Sequence, residues 1–171
     1  MLGARRFFAT AERIIARMTP GLLRLIMEAA DESSNRRRRT MGMQILIADD
    51  QLRARQSLKA LLATWPKVDR VREACNGQEA VLSVEEATPD VVVMDARMPD
   101  MDGLQATRVI KQRWPLVKVV VWSMYPEYEA EARLAGADAF VTKGEPPQQL
   151  LARIAEVMAN RASLGNGEVW Q

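Results

Sequence analysis

The sequence contains no histidine and a single cysteine, Cys75. The first absence excludes histidine-based nucleophile triads and any zinc site with imidazole ligands. The second excludes an intrachain disulfide, so a reducing, cytoplasmic setting is expected. Cys75 itself reads as a small buried apolar residue at a strand end. Long apolar runs are missing as well. None reaches the about 18 uninterrupted residues that a membrane span requires. The nearest, "IIARMTPGLLRLIM", is broken by Arg17, Pro20 and Arg24, which also spoils it as a signal-peptide core. There is no internal repeat.

What is present suffices for one well-buried domain with length left over for tails, in a chain of 171 residues. Its charge is uneven. Residues 1–40 hold nine arginines against Glu12, Glu28, Asp31 and Glu32, a balance of +5; the whole chain is +2, so the remainder carries −3. A mildly acidic body argues against nucleic-acid binding by that body. In the leader, Phe7, Phe8, Ala11, Ile14, Ile15 and Met18 share one helical face, and Pro20-Gly21 ends the pattern. Two readings stand for residues 1–42. One is a basic amphipathic segment touching a membrane surface or a partner. The other, which termini favour unless something ties them down, is a poorly ordered extension ahead of a true start at Met41 or Met43. Arg36 to Arg39 read as a solvated charge run.

From Met43 the chain alternates. Strand-like runs are "MQILIA", "RVREA", "DVVVMD", "VKVVVW" and "AFVT". Helical patterns lie between them. The first carries Leu52, Leu58, Leu61 and Leu62 and stops near Pro66; the second starts from Asn76 as N-cap and ends before Pro89. The third runs from about Leu104 to Trp114, the fourth from Pro126 to a left-handed cap at Gly136, and the fifth from Pro147 with a stripe of Leu150, Leu151, Ile154, Val157 and Met158. Five such units predict a parallel sheet with helices on both faces. The organisation expected is therefore a leader at 1–42, a domain at 43–161 and a flexible tail at 162–171.

Ligands of an open parallel sheet collect beyond the carboxyl ends of its strands. There the first strand delivers Asp49 and Asp50, the third Asp95, the fourth Ser123 and the fifth Lys143. Three clustered carboxylates repel one another unless cations intervene. Lys143 supplies one charge, and a hard divalent ion with oxygen ligands, Mg²⁺, would supply two more. A carboxylate beside such an ion can attack phosphorus, while the ion, a hydroxyl and an ammonium clamp the transferring oxygens. Each residue also has a plain structural role open to it: helix capping for Asp49–Asp50, turn formation for Asp95, local bonding for Ser123 and core packing for Phe140, while Trp122 and Tyr125 read as packing and surface residues.

The motifs "ILIADD", "VVMDARMPDMDG", "VVVWSMY" and "GADAFVTKG", in this order and at βα spacing, resemble the receiver domain of two-component response regulators over about residues 43–160. The resemblance implies a flavodoxin-like, doubly wound α/β fold with a five-stranded sheet in the order 2-1-3-4-5. It implies Asp95 as phosphoacceptor, and Mg²⁺ held by Asp49, Asp50, Asp95 and the Arg97 backbone carbonyl. Ser123 and Lys143 would bind the phosphoryl group, and Ser123 with Phe140 would form the switch. The expected partners are a sensor histidine kinase or phosphotransfer protein and a downstream output protein, with a homodimer also open. The chain would be a phosphoacceptor, not a turnover enzyme. Two positions depart from the family pattern: Met124 stands where a small residue is usual, and Gly144 follows Lys143 where proline is commoner. "SMY" and "KG" resemble receivers that precede a helix-turn-helix DNA-binding domain. About 10 residues follow the last helix, against the roughly 50 that such a domain needs; a stand-alone receiver is expected. The rival reading is a protein-binding module with the same fold that never accepts phosphate. The missing acid two residues after Asp95, where Arg97 stands, counts against a phosphatase of the dehalogenase-like kind.

Overall fold

The computed structural model describes residues 42–164, with side chains to 160. Both readings of the leader lie outside the described residues; of the tail expected at 162–171, residues 162–164 continue the last helix and the rest lies outside the described residues. The elements are β1 (Met43–Ala48), α1 (Leu52–Ala63), β2 (Val68–Ala74), α2 (Gly77–Glu86), β3 (Val91–Met94), α3 (Gly103–Arg113), β4 (Lys118–Ser123), a 3₁₀ turn (Pro126–Tyr128) leading into α4 (Glu129–Leu134), β5 (Ala139–Thr142) and α5 (Pro147–Leu164). All strand pairs are parallel, in the order β2-β1-β3-β4-β5. No described helix is long and apolar enough to cross a membrane.

Strand alternation divides the core in two. Leu46, Ala48, Val92, Met94, Val119 and Val121 face one side, where they meet Ala80 and Val84 of α2, Ala106 and Ile110 of α3 and Ala132 of α4. Ile45, Ile47, Val91, Val93, Val120 and Val141 face the other, against Leu58 and Leu62 of α1 and Leu150, Ile154 and Val157 of α5. Covered on both sides, β3 has no residue more than 1% exposed. That is why its sequence is an unbroken apolar run and not an alternating one.

Local chemistry sets the element ends. Asn76 caps α2 by accepting from the Glu79 amide at 2.8 Å, and Asp102 caps α3 by accepting from Gln105 at 2.8 Å. Gly136 has φ +92°, its N–H donates to Arg133 O, and the next amide, Ala137, donates to Ala132 O. This pair of bonds is the glycine-closed helix end that the sequence predicts. Three expectations shift. The helix expected from Pro126 begins as a 3₁₀ turn, β2 begins at Val68, ahead of "RVREA", and β4 extends to Ser123. Cys75 is half-buried instead of buried, because β2 ends at Ala74, which takes the buried place, while Cys75 opens the turn to α2.

At the pole away from the strand ends, Asp138 accepts from Val119 N, Lys111 Nζ and Lys118 Nζ, each at 2.9 Å. Lys111 also donates to the carbonyls of Pro115 and Val117. This cluster ties the end of α3 and the starts of β4 and β5 together. Burial pushes the Asp138 carboxyl up, but the Val119 amide and the two lysines outweigh it and hold it below its ordinary 3.8.

Candidate functional site

The sheet register explains how residues 94 positions apart meet. Ala48 pairs with Met94, Met94 with Val121, and Ser123 with Thr142. Asp49, Asp95 and Lys143 each follow directly on the last residue of their strands. Parallel strands in register therefore release these side chains along one rim. Lys143 Nζ lies 2.7 Å from Asp49 Oδ2 and 3.2 Å from Asp95 Oδ1. One carboxylate oxygen each from Asp49, Asp50 and Asp95 lie within 4.8 Å of one another. Asp49 is 1% exposed and Asp95 7%, whereas Asp50 faces solvent.

Asp49 also performs the local role open to it: its Oδ1 accepts from the Gln51 amide at 2.8 Å, just ahead of α1. The structural and the site roles use different oxygens of one carboxylate. Arg55, one turn into α1, donates to the Asp49 backbone carbonyl at 2.6 Å. The β3–α3 loop is held as tightly. Gly103 N donates to Ala96 O, and a Cβ on Gly103 would stand 1.7 Å from Asp95 O. Only glycine permits this approach.

Three carboxylates against one ammonium leave two negative charges in a largely buried pocket. The effect appears on Asp95, whose carboxyl is pushed from the ordinary 3.8 to about 6. Burial is the main cause; the Lys143 charge opposes it and Asp49 adds to it. An all-oxygen donor set with two unbalanced negative charges and one open side suits a small, hard divalent cation.

Ser123 is fully buried at the end of β4, and its Oγ accepts from the Tyr125 amide at 3.2 Å. Phe140 pairs with Val121 in β5, is partly buried against the α2–α3–α4 core, and lines a cleft of about 400 Å³ with residues of α4 and α5. Ser123 shares the strand parity of Val119 and Val121, so it and Phe140 belong to the same sheet face. Arg97 is exposed, and its Nη1 donates to Tyr128 Oη at 3.0 Å, linking the β3–α3 loop to the 3₁₀ turn. Tyr125 packs edge-on to Tyr128 with ring centroids 6.1 Å apart. Met124 and Tyr125 are exposed beside them. One residue had no expectation attached to this place. Trp122, read as packing, holds its ring 5.1 Å from Lys143 Nζ. The signal available was parity: Trp122 shares the face of Val120, opposite to that of Val119 and Val121.

A doubly wound sheet in this order, with an acid and lysine rim, defines a class, and the comparisons agree. A model of the response regulator receiver domain matches residues 45–155. The chain belongs to that family. It is 39% identical over 111 residues to the uncharacterized transcriptional regulatory protein YhcZ of Bacillus subtilis, covering 64% of this chain and 52% of that protein. It is 34% identical over 126 residues to the DNA-binding transcriptional activator DevR/DosR of Mycobacterium tuberculosis, covering 72% and 58%. Among solved structures, a LuxR-family two-component response regulator from Aurantimonas superposes with a TM-score of 0.67 at 32% identity, covering 70% of this chain and 87% of that one. The response regulator domain of Thermotoga maritima CheB gives 0.64 at 28%, covering 69% and 97%. The chain spans about half the length of the curated relatives it matches.

Proposed function

We propose that this receiver accepts a phosphoryl group on Asp95 from a phosphohistidine of a partner kinase or phosphotransfer protein. The observation that carries the reading is the meeting of Asp49, Asp50, Asp95 and Lys143 on one rim, within the distances above. With its carboxyl at about 6, Asp95 is mostly ionised at pH 7 and so available as a nucleophile. A carboxylate oxygen attacks phosphorus and an O–P bond forms as the P–N bond breaks. The electron pair stays with the imidazole, which takes a proton from solvent and leaves neutral.

The chain's own residues orient and neutralise. Lys143 holds its ammonium beside both Asp95 and Asp49, ready to pair with a phosphoryl oxygen. Ser123 Oγ, which accepts from the Tyr125 amide, would donate its hydroxyl proton to a phosphoryl oxygen, drawing the β4–α4 loop inward. Mg²⁺ would be held by Asp49, Asp50, Asp95 and the Arg97 backbone carbonyl, and when bound it offsets the charge gathered on the phosphoryl oxygens. Phe140, on the face that Ser123 shares, would follow that movement and alter the α4–β5–α5 surface around its cleft. A ligand shifts such an equilibrium only through differential contacts, and Ser123 and Lys143 are the groups that make them. An output protein or a second copy of the chain reads the surface.

The test is phosphorylation by acetyl phosphate with Mg²⁺, read by intact mass. The wild type should gain one phosphoryl group and Asp95→Asn none. Robust labelling of Asp95→Asn in a folded state would refute the assignment.

A further inference from the structure

We propose that Trp122 is a positioning residue for Lys143, holding its ammonium on the Asp49–Asp95 pair; this rests on the phosphoacceptor reading above. A lysine ammonium is a point charge on a flexible four-carbon stem, so two carboxylates alone do not fix where it points. Yet the Lys143 side chain is only 8% exposed and bonds both acids at once. Its third neighbour is the Trp122 ring, with the centroid 5.1 Å from Nζ, within the distance at which a cation is drawn to an indole face.

The placement follows from the strands. Trp122 packs on the sheet face of Ile47, Val93, Val120 and Val141, and pairs with Val141 across β4–β5. Asp49, Asp95 and Lys143 each lie two residues beyond Ile47, Val93 and Val141, and so continue that same face past the strand ends. Trp122 is the residue β4 contributes there, between the strand that carries Asp95 and the strand that leads to Lys143. An aliphatic side chain could fill the space but would offer the ammonium no attractive surface. The ring thus opposes rotation of Lys143 outward, where it would leave the acids unbalanced and the incoming phosphoryl without its partner.

The experiment compares Trp122→Phe, which keeps an aromatic face, with Trp122→Leu, which keeps only apolar bulk. Initial rates of phosphoryl uptake from acetyl phosphate should stay within about twofold of wild type for Trp122→Phe and fall about tenfold for Trp122→Leu at similar melting temperature. A second measurement needs neither metal nor phosphate. Trp122 emission, taken as wild type minus Trp122→Phe, should change when Lys143→Met is introduced in both. Equal rates for wild type and Trp122→Leu, equal losses in both variants, or emission indifferent to Lys143→Met would each overturn the proposal. If Trp122→Leu does not fold, the emission comparison decides. If the wild type takes up no phosphoryl group, the phosphoacceptor reading fails, while the emission comparison still tests the contact.

Discussion

The ammonium of Lys143 lies 2.7 Å from the Asp49 carboxylate, 94 residues away in sequence. The distance to Asp95 is longer, 3.2 Å. The buried acid that also accepts from the Gln51 amide takes the tighter contact, and the acid proposed to react takes the looser one. A buried carboxylate without a counterion is costly, so Lys143 is as much the stabiliser of Asp49 as the partner of Asp95. It also follows that the pocket is under-neutralised before any divalent ion arrives.

The burial of Asp95 predicts a pH signature. An acid raised from 3.8 to about 6 on folding binds more protons folded than unfolded between those values, so stability falls as pH rises from 4 to 6 and levels above. Asp95→Asn removes the penalty. In metal-free buffer the variant should match wild type near pH 4 and exceed it above pH 6, by on the order of 2 kcal/mol in urea denaturation. A gain that is the same at pH 4 and pH 7 would assign it to packing instead of charge.

Mg²⁺ should raise the wild-type melting temperature, because a ligand bound only by the folded state stabilises it, by about 2.7 kcal/mol at a hundred times its Kd. Asp50 is the exposed member of the acid cluster, so Asp50→Ala should fold well and lose most of that rise. An unchanged rise would move the ion elsewhere.

Much of this was legible in the sequence because strand ends and in-register parallel pairing translate position into proximity. Asp49, Asp95 and Lys143 could be placed on one rim from the runs "MQILIA", "DVVVMD" and "AFVT" alone. Parity was equally available for Trp122, but a tryptophan beside buried valines reads as core until the lysine's reach is known. Asp138 lies inside the motif "GADAFVTKG", but nothing in its spacing pointed to an ion-pair role. Its partners Lys111 and Lys118 lie on a helix and a strand whose relative placement only the folded sheet supplies. The 3₁₀ start at Pro126 is a local choice between two hydrogen-bond registers that helical spacing does not distinguish.

Gly103→Ala tests the loop beneath the phosphoacceptor. With an added Cβ only 1.7 Å from Asp95 O, the β3–α3 loop must move. A cost of about 3 kcal/mol is expected, the upper part of the range for inserting atoms into a packed site. Phosphoryl uptake should fall with it, since Asp95 moves with the displaced carbonyl. Wild-type stability in this variant, by urea denaturation, would show that the approach is looser than the geometry requires.

The opposite pole should give the opposite pH profile. Asp138 is held below 3.8 by the Val119 amide, Lys111 and Lys118 against the pull of burial. Its stabilisation is present above the ordinary carboxylate pKa and is lost as pH falls through the lower, folded value. Asp138→Asn keeps the shape and an acceptor for Val119 but removes the counter-charge of two lysines, each less than a fifth exposed, leaving Lys111 only the Pro115 and Val117 carbonyls. It should cost about 2 kcal/mol at pH 7. The difference from wild type should hold between pH 7 and 5 and narrow only below 4, whereas the Asp95 effect develops between 4 and 6. Because Asp138 lies away from the acid rim, the Mg²⁺-induced rise in melting temperature should survive in Asp138→Asn. Loss of that rise would mean that the two poles of the sheet are coupled and that the Asp138 cluster is not a purely structural tie.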